Sequence, residues 1–180
     1  MSRASDIERR ATGSVTASGR TLTGYVARFG VEARIGSFSE TIKPGAFRAS
    51  IASGRDILAL ADHDAAKVLG RTRSGTLQLA EDADGLRFEL RVPDTQAGRD
   101  LIALAERGDL GGCSFGFTVP QGGDAWNGDH RELRAVELHE VSIVQSWPAY
   151  EGTEVALRNR PCEPQMFILD PRRAWLETVR

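Results

Sequence analysis

Two cysteines in 180 residues are too few to staple a fold, and Cys113 and Cys162 have no spacing that suits a metal. A disulfide framework and a zinc site are excluded on that ground, and both side chains read as free thiols. Histidine is as scarce: any chemistry that needs an imidazole must use His63, His130 or His139. No apolar run approaches the roughly 20 residues that cross a bilayer, and the polar start MSRASDIERRATGS lacks the apolar segment of a secretory signal. Charge of one sign is also missing. Lys and Arg total 23 against 25 Asp and Glu, with no long block of either, which gives no footprint for nucleic acid or for a membrane surface. The expectation is a cytosolic globular chain, and its 41% hydrophobic content supplies the core of one domain.

What is present is a series of short strand patterns. RTLTGYVARFG, GSFSETI, RDILALAD, AKVLGRTR, GTLQLAED, GLRFELRVPD, CSFGFTVP, RELRAVEL and EVSIVQ succeed one another with turn residues between them. TLQLAEDADGLRFELRV alternates polar and apolar on both sides of Asp84-Gly85, which predicts a hairpin. Two helices interrupt the strands. In KPGAFRASIASG, Pro44 suits a first turn, Phe47 and Ile51 lie four apart and Gly54 ends the segment. In PDTQAGRDLIALAERGDLGG, Asp94 or Thr95 caps, Ala97, Leu101, Leu104 and Ala105 form a stripe, and Gly108 stops the helix. The sum is a mainly β chain with flanking helices, a barrel or a sandwich. Residues 1–19 are polar and aperiodic and read as a flexible tail, 20–158 as the folded domain, and 159–180, rich in proline, as a second tail.

GGCSFGF, residues 111–117, contains G-x-S-x-G. In an α/β-hydrolase that serine follows a strand and opens a helix, whereas here a helix precedes it and a strand comes after, so the nucleophile-elbow reading fails on order. On a strand, Cys113, Phe115, Phe117 and Val119 share one face and Ser114, Gly116 and Thr118 the other. The thiol then belongs to the core. Ser114 lies where Gly116 leaves room for another backbone or a substrate, which makes it the better nucleophile candidate, although a plain serine on a polar strand face fits the same residues.

A serine nucleophile needs a base, and His63, at the end of the apolar run in DILALADHD, is the preferred one. A solvated loop histidine between Asp62 and Asp64 is the plainer reading. His130 falls in the glycine-rich, mobile loop QGGDAWNGDHR, and His139 in the last strong strand. A third group must hold the imidazole, and in VELHEVSIVQ alternation puts Glu140 and Ser142 on one face and His139, Val141 and Ile143 on the other. Glu140 reaches the site if its strand neighbours that of Ser114; Asp62 or Asp64 would orient the histidine locally instead.

The ordered set GYVARFG, SFSETIKPGAF, LADHD, LGRTRSGTLQLAEDADGLRFEL, GDLGGCSFGF and HEVSIVQSWPAY resembles the prohead proteases of tailed phages and gene transfer agents. That family is distantly related to the herpesvirus assemblins. The resemblance implies an antiparallel β-barrel of assemblin-like type flanked by helices, and a serine endopeptidase with Ser114 as nucleophile, His63 as base and Glu140 as third member. His139 competes with Glu140 for that last place, since assemblins carry a second histidine there. It further implies the major capsid protein and scaffold segments as substrates, self-cleavage, and action inside the prohead in the bacterial cytoplasm. No cofactor, metal, nucleic acid or membrane is called for. Assemblin-like enzymes often need a dimer to order their site, so a homodimer is among the partners implied. The arginines that assemblins use near the oxyanion have no counterpart in QSWPAYEG, which leaves backbone N–H groups as the default donors. Two other readings stay open: an inactive capsid-associated scaffold protein on the same fold, and an unrelated hydrolase that uses Cys113.

Overall fold

The computed structural model describes residues 7–12 and 15–145. In chain order it forms β1 (Glu8–Thr12), β2 (Val15–Ser18), β3 (Thr21–Arg28), β4 (Ala33–Ile35) and β5 (Phe38–Ile42), then helix α1 (Arg48–Ala52). Next come β6 (Leu58–Ala61), β7 (Asp64–Arg71), β8 (Leu77–Glu81), β9 (Gly85–Arg91) and helix α2 (Gln96–Arg107). The last strands are β10 (Gly112–Thr118), β11 (Asp124–Asn127), β12 (His130–Leu133) and β13 (Glu137–Val144).

Local chemistry accounts for most of these boundaries. Thr95 is the cap of α2, its hydroxyl accepting from Gly98 N at 3.2 Å, and Gly108 ends the helix in the left-handed region that glycine adopts without cost. β8 and β9 form the hairpin predicted at Asp84-Gly85, and Asp82 Oδ1 closes its turn by accepting from Asp84 N and Gly85 N.

The strands make three sheets, ordered β1-β10-β13-β6-β7, β11-β12-β5-β4 and β2-β3-β9-β8. The closed antiparallel barrel that the resemblance implies is not found among the described residues: each sheet ends in two open edges. Two pairs, β13 with β6 and β12 with β5, run parallel, because each is reached by a long crossover instead of a hairpin. One core joins the sheets. Phe115 and Phe117 of β10 stack at 5.2 Å, Phe47 meets Phe115 edge-on at 5.5 Å, and Leu22, Phe88, Leu101, Leu138 and Val141 close round them.

The N-terminal tail expected over residues 1–19 needs correcting, since residues 8–12 and 15–18 are strands. β1 is polar, yet it pairs along β10 and is pinned by charge. Buried Arg10 donates to both oxygens of buried Glu40, from Nε at 2.8 Å and from Nη2 at 3.0 Å. Arg131 bonds Glu8, Glu40 and Asp124, so the cluster ties β1 to β5, β11 and β12. The arginines pass over aromatic rings as well, Arg10 over Phe117 and Arg131 over Trp126. The C-terminal tail expected over 159–180, and Cys162 with it, lies outside the described residues.

Candidate active site

β10 has a different chemistry on each face. Cys113, Phe115 and Phe117 point into the core, and Ser114 and Gly116 lie on the opposite side, as strand alternation predicts. Two rows of residues cross this second face. Ala11, Ser114, Ser142 and Leu60 form one; Arg9, Gly116, Glu140 and Leu58 form the other. Ser114 and Glu140 are therefore diagonal neighbours on adjacent strands, a separation of about 7–8 Å between backbones.

His63 reaches this face from the turn that joins β6 to β7. Ala61 pairs with Asp64, and the two residues between them, Asp62 and His63, both have positive φ, 50° and 60°. A two-residue hairpin favours that conformation, but glycine or asparagine normally occupies it; an aspartate and a histidine there store strain of the kind found at functional sites. The turn is held on its far side by β13 and by Gln145 just beyond it. Asp62 N donates to Ile143 O at 3.0 Å, and the Asp62 carboxylate accepts from Gln145 N at 2.8 Å and Gln145 Nε2 at 2.7 Å.

The imidazole then meets Glu140. His63 Nδ1 lies 2.8 Å from Glu140 Oε1, which also accepts from Arg9 Nε at 3.2 Å, while Ser142 Oγ donates to Oε2 at 3.3 Å. Burial works to raise the Glu140 carboxyl, but the His63 bond and charge and then Arg9 outweigh it, and the net direction is downward. Glu140 is thus a carboxylate at neutral pH. The flanking aspartates are engaged elsewhere, Asp62 with Gln145 and Asp64 with Ala66 N and Lys67.

His139 departs from strict alternation. The register between β10 and β13 slips between Gly116 and Phe117: Gly116 faces Glu140 but Phe117 faces Leu138, so His139 is the extra residue of a bulge. It does not join Val141 and Ile143 in the core. Its Nε2 bonds Thr118 Oγ1 at 3.0 Å and its Nδ1 lies 3.4 Å from Arg55 Nη1. Burial, with Arg55 beside it, holds the ring below the ordinary histidine range and hence neutral.

His130 is not in the mobile loop expected for it; it opens β12 with both ring nitrogens bonded, to Ser39 Oγ at 2.9 Å and Thr41 Oγ1 at 3.1 Å. It lines a cleft with Glu32, Arg34 and Phe38 that contains none of Ser114, His63 or Glu140. Cys113 is 1% exposed, and burial pushes its thiol well up, away from the thiolate that attacks.

The sequence reading missed Arg9, whose strand looked like a tail, and misjudged what fills the space over Gly116. That space is taken by Glu140 itself: a Cβ built on Gly116 would lie 2.7 Å from Glu140 Cγ. A glycine two residues after a candidate serine was the one available signal.

A serine and a His–carboxylate pair on one sheet face are the parts of an acyl-transfer site, and the profile of the caudovirus prohead serine protease family matches residues 5–166. The chain belongs to that family. Membership points to a serine peptidase of capsid maturation. No curated protein and no solved structure matches the chain. Among the described residues no helix is long and apolar enough to cross a membrane, and no group of three or more His, Cys, Asp or Glu is arranged to hold a metal ion.

Proposed function

We propose that this prohead protease family member is a serine endopeptidase that cuts capsid or scaffold protein, and itself, inside the assembling prohead. Ser114 is the nucleophile, His63 the general base and Glu140 the residue that holds the base. The observation that carries this reading is the 2.8 Å bond between His63 Nδ1 and Glu140 Oε1, made on the face that Ser114 shares.

The chemistry depends on which nitrogen is occupied. With Nδ1–H donated to the carboxylate, Nε2 is the nitrogen that accepts a proton. Ser114 Oγ bonds to the carbonyl carbon of the scissile peptide as its proton passes to His63 Nε2. Collapse of the tetrahedral intermediate breaks the C–N bond, and the same proton leaves on the amine. His63 then deprotonates a water that attacks the acyl-enzyme, and Ser114 is regenerated. Glu140 stays ionised throughout and offsets the imidazolium charge. Backbone N–H groups serve the oxyanion in this reading, since they need no particular side chain.

The test is co-expression of the chain with the capsid protein of its own genome, wild type beside Ser114→Ala, followed by intact-mass spectrometry of both partners. Truncated capsid protein or protease in the wild type alone is the expected result and identifies the cleavage sites. Cleavage that persists in a folded Ser114→Ala protein would refute the assignment. Equal, uncut masses in both would point to an inactive scaffold component.

A further inference from the structure

Arg9 is a residue for which the proposed reaction has no use, yet it contacts Glu140. The route is unusual. Arg9 stands opposite Gly116, which stands opposite Glu140, so the guanidinium and the carboxylate come from strands separated by a whole strand. They meet because position 116 has no side chain between them: its missing Cβ would fall 2.7 Å from Glu140 Cγ and 2.8 Å from Oε1. Arg9 Nε then donates to the same oxygen, Oε1, that receives His63 Nδ1.

We infer that Arg9 is a positioning residue for the His63–Glu140 pair: reaching over Gly116, it fixes the Glu140 oxygen to which the base is bonded. The inference rests on the proposed assignment of Ser114, His63 and Glu140. Three observations support it. A glutamate side chain has several rotatable bonds, and two donors converging on one oxygen restrict them more than one does. Glu140 is 9% exposed while Arg9 is 36% exposed, so the arginine supplies a nearby positive charge to a carboxylate that has lost most of its water. Finally, β1 is anchored independently by Arg10 and Glu8 in the buried cluster with Glu40 and Arg131, which keeps the Arg9 backbone in place.

Arg9 also brings a charge to Glu140, which a merely structural contact would not need. The other charged groups around the pair are engaged: Asp62 with Gln145, Asp64 with Lys67, and Arg55 with Glu137 beside neutral His139. Removal of Arg9 therefore loosens Glu140 and slows the reaction, whereas a lysine, which restores a donor and the charge, recovers part of the rate.

The experiment measures the rate at which a fluorophosphonate probe modifies Ser114, by intact mass at neutral pH, for wild type, Arg9→Met, Arg9→Gln and Arg9→Lys. The probe needs no knowledge of the cleavage sequence. Loss of Arg9 should slow labelling by about 10–100-fold, the scale set by sub-ångström misplacement. The rate should return towards wild type in Arg9→Lys, which restores the charge and a donor, and stay low in the two neutral variants. The two neutral variants guard against one that fails to fold. A folded neutral variant that labels at the wild-type rate overturns the role of Arg9 and leaves the triad standing. A folded wild type that the probe never modifies at Ser114 overturns the triad assignment, and this inference with it.

Discussion

Gly116→Ala is the most informative single substitution, since it perturbs the site without removing any group from it. The added Cβ would lie 2.7 Å from Glu140 Cγ and 2.8 Å from Glu140 Oε1, whereas ordinary contacts begin at 3.4 Å. Glu140 must retreat by about 0.7 Å, the gap between those contact distances. If that movement is along the bond to His63, now 2.8 Å, the donor–acceptor distance approaches the limit at which a hydrogen bond persists. The bond from Arg9, already 3.2 Å, fails first. Misplacement of about 1 Å costs about 100-fold in rate, so a loss on the order of 30-fold is expected. Overpacking of this size also costs about 1–3 kcal/mol of stability. The two readouts are the rate of fluorophosphonate labelling at Ser114 and a thermal melt. A variant that melts several degrees early yet labels at the wild-type rate would refute the argument, because Glu140 would then have been displaced without consequence for the base.

Two further outcomes are expected from the same geometry. Glu140→Gln keeps the volume and loses the charge; the protein should fold, and labelling at Ser114 should fall by about 10⁴-fold, the scale for the amide in this role. A fully active Glu140→Gln protein would remove Glu140 from the site. Stability should also respond to acid through Glu8: burial raises its carboxyl, but the bond and charge of Arg131 and then Arg10 outweigh this and hold it below its ordinary 4.5. A carboxyl depressed in the folded state contributes stability that is fully present above its unfolded value and is lost as the pH falls through its folded value. Denaturant unfolding should therefore show stability declining below pH 4.5, with a shallower decline in Glu8→Gln; identical slopes would exclude Glu8 as a source.

The sequence carried the strands and helices wherever period and turn residues agreed. β8 and β9 around Asp84-Gly85, and α2 between Thr95 and Gly108, came out as read, because caps, turns and alternation are local. The two faces of β10 were legible for the same reason. β1 was not: ERRAT has no apolar period, and what holds it is Glu40 and Glu140, 30 and 131 residues further on. Nor was the place of His139, since a bulge is decided by the register with β10 and leaves no mark in VELHEV. The parallel pairing of β6 with β13 was equally hidden, although it brings His63 beside Glu140.

The spacing of the site along the chain bears on when it first exists. Arg9 and Glu140 are separated by 131 positions, and the turn carrying His63 is fastened by Gln145. At ribosomal speeds of about 5–20 residues per second, roughly 7–27 s pass between synthesis of the first of these residues and the last. Until then the residues proposed to serve Ser114 are not all present, and pairing over such distances is slow even after release. On the proposed assignment, a chain still on the ribosome therefore lacks the contacts that would make Ser114 a nucleophile.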